Sequence, residues 1–149
     1  MRTPIRFVIA LIALILACSV LSACDKATIE YVPNGGTYTL AQAEDVASGY
    51  DMSDVDSVKT TEGPKLRRER LLELREAGAD TALLADALTR DFPSDASSVP
   101  LLVESATVDG AQVWIVVEAY GDADGTLSRR RLWVLDRSSF TVLASSSFN

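Results

Sequence analysis

The sequence predicts an α+β domain in which one or two helices pack on a four-stranded antiparallel β-meander. Three observations carry this prediction. The middle of the chain holds "PKLRRERLLELREAGADTALLADALTRDF", whose apolar residues recur at three-to-four spacing. Four apolar or β-branched runs follow it: "LLVESATV", "QVWIVVEAY", "RRRLWVLD" and "FTVLASSS". Asp109, Gly110 and Ala111 separate the first two, and Asp-Gly is the strongest short signal for a hairpin.

Residues 1–23 have the three-part layout of a secretory signal peptide: Arg2 and Arg6 as a cationic start, "FVIALIALILACSV" as an apolar middle of 14 residues, then small residues. A membrane-spanning helix needs about 20 apolar residues, and the 17 from 7 to 23 reach only the short limit. The end of the leader reads Leu21, Ser22, Ala23, Cys24. This resembles the lipobox of bacterial lipoproteins. The resemblance implies that the Cys24 thiol takes a diacylglyceryl group, that the leader is cut before it, and that further acylation completes the anchor. A thiolate is the soft nucleophile such a transfer requires. Two or three acyl chains on one residue hold a protein stably, whereas a single chain holds it only marginally. The competing reading is an uncut signal anchor. Either one places the rest of the chain outside the cytoplasm, bound to the cell membrane.

Removal of the leader takes Cys18 with it, and acylation consumes Cys24, so the mature chain has no free thiol and no disulfide. Its 126 residues suffice for one ordinary core without one. Loss of Arg2 and Arg6 leaves 12 basic against 21 acidic residues, a formal charge of −9. That balance excludes nucleic acid as the expected partner and repels an anionic membrane surface.

Residues 24–63 read as an acidic tether and loop. "VPNGGTYTL" is a turn signal, and Thr39 with Gln42 has capping-box spacing, which predicts a short helix over 40–48 stopped by Gly49. "YDMSDVDSVKTTEG" has no sustained period and reads as loop. Residues 64–149 read as the globular domain. Pro64 suits a first helical turn. Leu71, Leu74 and Ala77 share one face, Leu84, Leu88 and Phe92 another, and Gly78 between them predicts two helices joined by a tight turn or one kinked helix, with Asp80 or Thr81 as a cap.

In the sheet, strand alternation puts Val113, Ile115 and Val117 on one face with Leu102 and Ala106, extended by Leu132, Val134, Val142 and Ala144. This face is expected to meet the helices. The opposite face carries Trp114, Val116, Tyr120, Trp133 and Leu143, with the two indoles directly across from one another. It is too apolar to meet water, so a cover is expected. A helix across an antiparallel sheet loosely resembles cystatin-like folds.

Constellations that mimic chemistry mostly serve structure. "GDADGTLS" has Asp122, Asp124 and Gly125 but lacks the earlier oxygen ligand and closing glutamate of an EF-hand loop. Asp51, Asp54 and Asp56 read as solvated charges. Arg67, Arg68 and Arg70 lie beside Glu69 and Glu73 and read as a solvated helix face. Arg129, Arg130 and Arg131 alternate across a strand, and read as edge protection paired with Glu118 or as a docking point for an anionic partner. Trp114, Trp133, Arg129 and Arg131 are therefore the candidate partner-binding residues, weighed against plain packing.

The chain has no histidine. With no free cysteine after maturation, Ser-His, Cys-His and the usual zinc sites are excluded. The mature chain's lysines are Lys26, Lys59 and Lys65, all outside the expected sheet. Glu104 and Glu118 are the carboxylates within strands and fall on opposite faces, which does not favour a facing glycosidase pair. No catalytic residue, metal or cofactor is assigned. The expectation is a non-enzymatic interaction or ligand-binding domain on an envelope lipoprotein. The alternatives are an assembly accessory with an envelope protein partner or an unrecognised hydrolase.

Overall fold

The computed structural model describes residues 28–92 and 96–149, which form three α-helices, a short 3-10 turn and one six-stranded sheet. Two short strands come first, β1 (Glu30–Val32) and β2 (Thr37–Tyr38), followed by helix α1 (Leu40–Ser48). The capping box at α1 forms as expected. The Thr39 hydroxyl accepts from the Gln42 N–H, the Gln42 side chain accepts from the Thr39 N–H, and Gly49 closes the helix. Helix α2 (Gly63–Glu76) has Pro64 in its first turn, and α3 (Ala79–Asp91) follows after Gly78. Two helices with a tight turn are thus observed, but neither Asp80 nor Thr81 caps α3. Gly78 occupies the N-cap, and the Thr81 hydroxyl donates back to the Gly78 carbonyl.

Strands β3 (Val99–Val108), β4 (Ala111–Tyr120), β5 (Arg129–Asp136) and β6 (Val142–Phe148) are successive antiparallel neighbours. The first turn needs only two residues. Asp109 and Gly110 both take positive φ, 48° and 84°, and Ala111 already pairs with Val108. Four strands become six because β1 and β2 add in parallel along the outer edge of β3. Parallel pairing requires a long crossover, and α1, α2 and α3 supply it before the chain returns as β3.

The register keeps the expected faces with two corrections. Ile115, not Val113, lies opposite Val134, so Trp114 faces Leu135 and Trp133 faces Val116. The two indoles share a face but stand one pair apart along it. A bulge between Val134 and Leu135 brings Val142 opposite Leu135 and leaves Val142 and Leu143 exposed at 46% and 52%. The extra residue reverses the alternation on which their assignment rested.

Both faces of the sheet are covered. Ala43 and Ala47 of α1 pack on Leu102, Ala106, Val113, Ile115, Val117, Leu132 and Val134. On the other side, Leu71 and Leu74 of α2 and Leu84, Ala85 and Leu88 of α3 cover Val103, Trp114, Val116 and Leu135. The tryptophan face therefore meets the helix pair, and the face expected to take it meets the short helix.

The globular unit also begins earlier than Pro64. Residues 30–63, read as tether and loop with one short helix, supply that helix and also two strands and Met52 and Val55, which pack with Val99, Leu101, Ala119 and Leu127 in a third cluster. Short elements with small residues carry little periodic signal, yet Ala43 and Ala47 are fully buried because a small side chain lets a helix approach a sheet closely.

Candidate functional site

Cys24 lies outside the described residues. Trp114 is fully buried under the helix pair and serves the core. Trp133 is half-buried, edge-on to Phe92 with ring centroids 5.0 Å apart. Arg129 pairs with Asp122 at 3.0 Å, and the Arg131 guanidinium lies over Tyr120 and Trp133, 4.5 and 5.4 Å from the ring centres. Arg130 turns away and donates to the Tyr50 carbonyl. The arginines do not protect an edge, since β5 lies between β4 and β6. The four candidate residues do not converge on one exposed surface.

Nor does Glu118 pair with those arginines. Its cation is Arg67, from the helix face read as solvated, at 2.7 Å with both side chains buried. Arg67 also donates to both oxygens of Ser98 and to the Leu88 carbonyl. Ser98 Oγ and Trp133 Nε1 donate to the second Glu118 oxygen at 2.9 and 3.0 Å. Both oxygens of the carboxylate are thus hydrogen-bonded, the condition under which a buried ion pair is tolerable. Arg70, three residues on, is also buried; its Nη1 donates to the Pro100 carbonyl. The sequence held a signal for both: Arg67, Arg70, Leu71 and Leu74 follow the helical repeat of one buried stripe, and a glutamate amid the apolar run "VWIVVEAY" needs compensating partners once buried.

Glu104 lies on the opposite face, across from Ile115. It fills the break between β1 and β2, accepting from the Gly36 N–H at 2.9 Å and the Tyr38 hydroxyl at 2.8 Å. This hydrogen bond, with burial and the nearby negative charge, pushes the Tyr38 hydroxyl above its ordinary pKa. Gly35 is required there, because a Cβ would meet Glu104 Oε1 at 2.1 Å.

A polar pocket of about 500 Å³ opens at the end of the sheet beside α3. Ser105, Thr107 and Gln112 line its floor from β3 and β4, Asn34 comes from the β1–β2 connection, Asp80 from the first turn of α3, and Arg137 from the β5–β6 turn. The Arg137 guanidinium stacks 3.8 Å above the centre of the Trp114 ring. It donates to Ser105 Oγ and, at 3.2 Å, to Asp80. The surrounding backbone is pinned: Arg137 N–H donates to the Gln112 carbonyl, Gly35 N–H to Ser105 and Thr107 N–H to Gly36. The turn that delivers Arg137 is closed by Asp136, whose carboxylate accepts from the N–H and hydroxyl groups of Ser138 and Ser139. These donors hold its pKa down to about 2. Sequence reasoning missed this site because its six residues come from five separate stretches, none a motif.

Among the described residues no cluster of three or more histidine, cysteine or acidic side chains is arranged to hold a metal, and no helix is long and apolar enough to cross a membrane. Asp51 instead accepts from Ser53, which lowers its pKa. Comparison of the chain with known protein families, curated proteins and solved structures finds no match.

Proposed function

We propose that the chain is a cell-envelope lipoprotein, held on the extracytoplasmic face of the membrane by lipidated Cys24, whose domain is a non-enzymatic ligand-binding module. The observation that carries the binding role is the Arg137 pocket, where side chains from five elements meet at the surface on a backbone fixed by hydrogen bonds. The anchor rests on the leader and on "LSAC". The Ile29 N–H is tied to Glu73, so only the four residues 25–28 lie between the lipidated cysteine and the fold, a reach of at most about 18 Å. On this reading the domain works close to the bilayer and not at the end of a long tether. We also read α1 on the antiparallel strands as the cystatin-like half of the fold, to which the helix pair on the other face is an addition.

Cys24→Ala tests the anchor. The wild-type protein should partition with membranes and carry a mass increase of acyl size without its leader, and the variant should do neither. A membrane-bound wild type that retains an unmodified leader overturns it. The second reading, an assembly accessory, is favoured by β6, an outer strand without a charged residue and with Val142 and Leu143 exposed. Sedimentation of the purified protein distinguishes them, because an accessory with an uncovered strand edge should self-associate.

A further inference from the structure

We infer that the Arg137 pocket takes an uncharged, hydroxyl-rich ligand, a saccharide unit; this rests on the ligand-binding reading above and specifies its chemistry. The argument begins with charge. Arg137 and Asp80 are the two ionised groups of the lining and are bonded to each other at 3.2 Å. An anion drawn to Arg137 meets the Asp80 carboxylate, and a cation drawn to Asp80 meets the guanidinium, so neither sign is preferred locally. The excess of acidic over basic residues in the chain, 21 to 14, disfavours anions further.

The remaining lining groups decide what a neutral ligand must look like. The Asn34 and Gln112 amides and the Ser105 and Thr107 hydroxyls each offer a donor and an acceptor. Arg137 has five N–H donors, of which the bonds to Ser105 and Asp80 account for two. In the free protein water satisfies such groups. A ligand that displaces it without replacing its hydrogen bonds loses affinity, so an apolar ligand is rejected. Adjacent hydroxyls on a sugar ring, each both donor and acceptor, replace those bonds pair by pair. A volume of about 500 Å³ falls within the range typical of small-ligand sites. Stacking on Trp114 and the Ser105 bond fix the guanidinium plane before binding, so little ordering remains to oppose association.

The test uses the full chain in a detergent without sugar headgroups, with side-chain amide and indole resonances followed during titration. The probes are maltotriose and tri-N-acetylchitotriose, beside inorganic phosphate, glutamate and spermidine. At least one saccharide should shift the Asn34 and Gln112 amide signals and the Trp114 indole signal saturably. Gln112→Ala, at an exposed strand position, should weaken that binding at least tenfold while leaving the thermal midpoint unchanged. Arg137→Lys should also weaken that binding, since an ammonium does not reproduce the planar fork. Saturable shifts with phosphate, glutamate or spermidine but with neither sugar overturn the saccharide assignment and leave the binding module standing. Shifts with none of the probes overturn both.

Discussion

Glu118 and Glu104 are identical side chains buried in adjacent strands of one sheet, at 1% and 5% exposure, yet the fold compensates them differently. Glu118 lies under the helix pair and receives a full counter-charge from Arg67, with Ser98 and Trp133 completing its shell. Glu104 lies beside the sheet edge and is held by a backbone N–H and a tyrosine hydroxyl. The difference follows from what each position must accomplish. Desolvating a carboxylate beneath two helices is too costly to offset with neutral donors alone. At the edge, the break in β1–β2 already leaves an N–H without a strand partner, and the carboxylate satisfies it. One glutamate fastens α2 to the sheet; the other fastens the outermost strands.

Cutting the ion pair is the most severe way to break this comparison. Arg67→Ala leaves Glu118 buried without its cation and should destabilise the fold by about 3–5 kcal/mol in denaturant unfolding. Replacing both partners, Arg67→Met with Glu118→Leu, should restore most of that loss, because the penalty belongs to the unpaired charge. A single variant as stable as the wild type would mean that water or another cation reaches Glu118, and the contrast between the two sites would vanish.

Trp133→Phe is gentler. It keeps an aromatic ring against Phe92 and removes one hydrogen bond to the buried carboxylate, so the expected loss is about 1.5–3 kcal/mol, read from chemical unfolding. The same change in the Glu118→Leu background should cost much less. Equal losses in both backgrounds would show that Trp133 acts through packing alone.

The legibility of the sequence follows the same division. Helix α1, the break at Gly78, the Asp109–Gly110 turn and the face assignment of β4 could all be read, because each is written in neighbouring residues at a fixed period. The six-stranded sheet could not be read, since β1 and β2 are three and two residues long and pair across a crossover of roughly sixty residues. Arg67 was misread by its charge although its position was that of a core residue. A long side chain can span from a helix to a strand, and only the lone Glu118 hinted at where it goes. The Arg137 pocket left no local trace at all.

The smallest expected effect sharpens the comparison by pH. Tyr38→Phe removes one donor from Glu104 at a half-buried edge and should cost about 1 kcal/mol near neutral pH. The Tyr38 pKa is raised above its ordinary value of 10.0 by its hydrogen bond to Glu104, so the folded state holds that proton more tightly than the unfolded chain does. The resulting stability is fully present below about pH 10 and is lost as pH rises through the folded value. Wild type should therefore lose more stability than Tyr38→Phe as pH rises above about 10, and the difference between them isolates Tyr38 from Tyr50, whose pKa is also raised, chiefly by burial. The hydrogen bonds to Glu118 come from Arg67, Ser98 and Trp133 and include no tyrosine hydroxyl, so the Trp133→Phe difference should stay level over the same rise. Parallel alkaline slopes for wild type and Tyr38→Phe would mean that the β2 edge is not fastened through this hydroxyl.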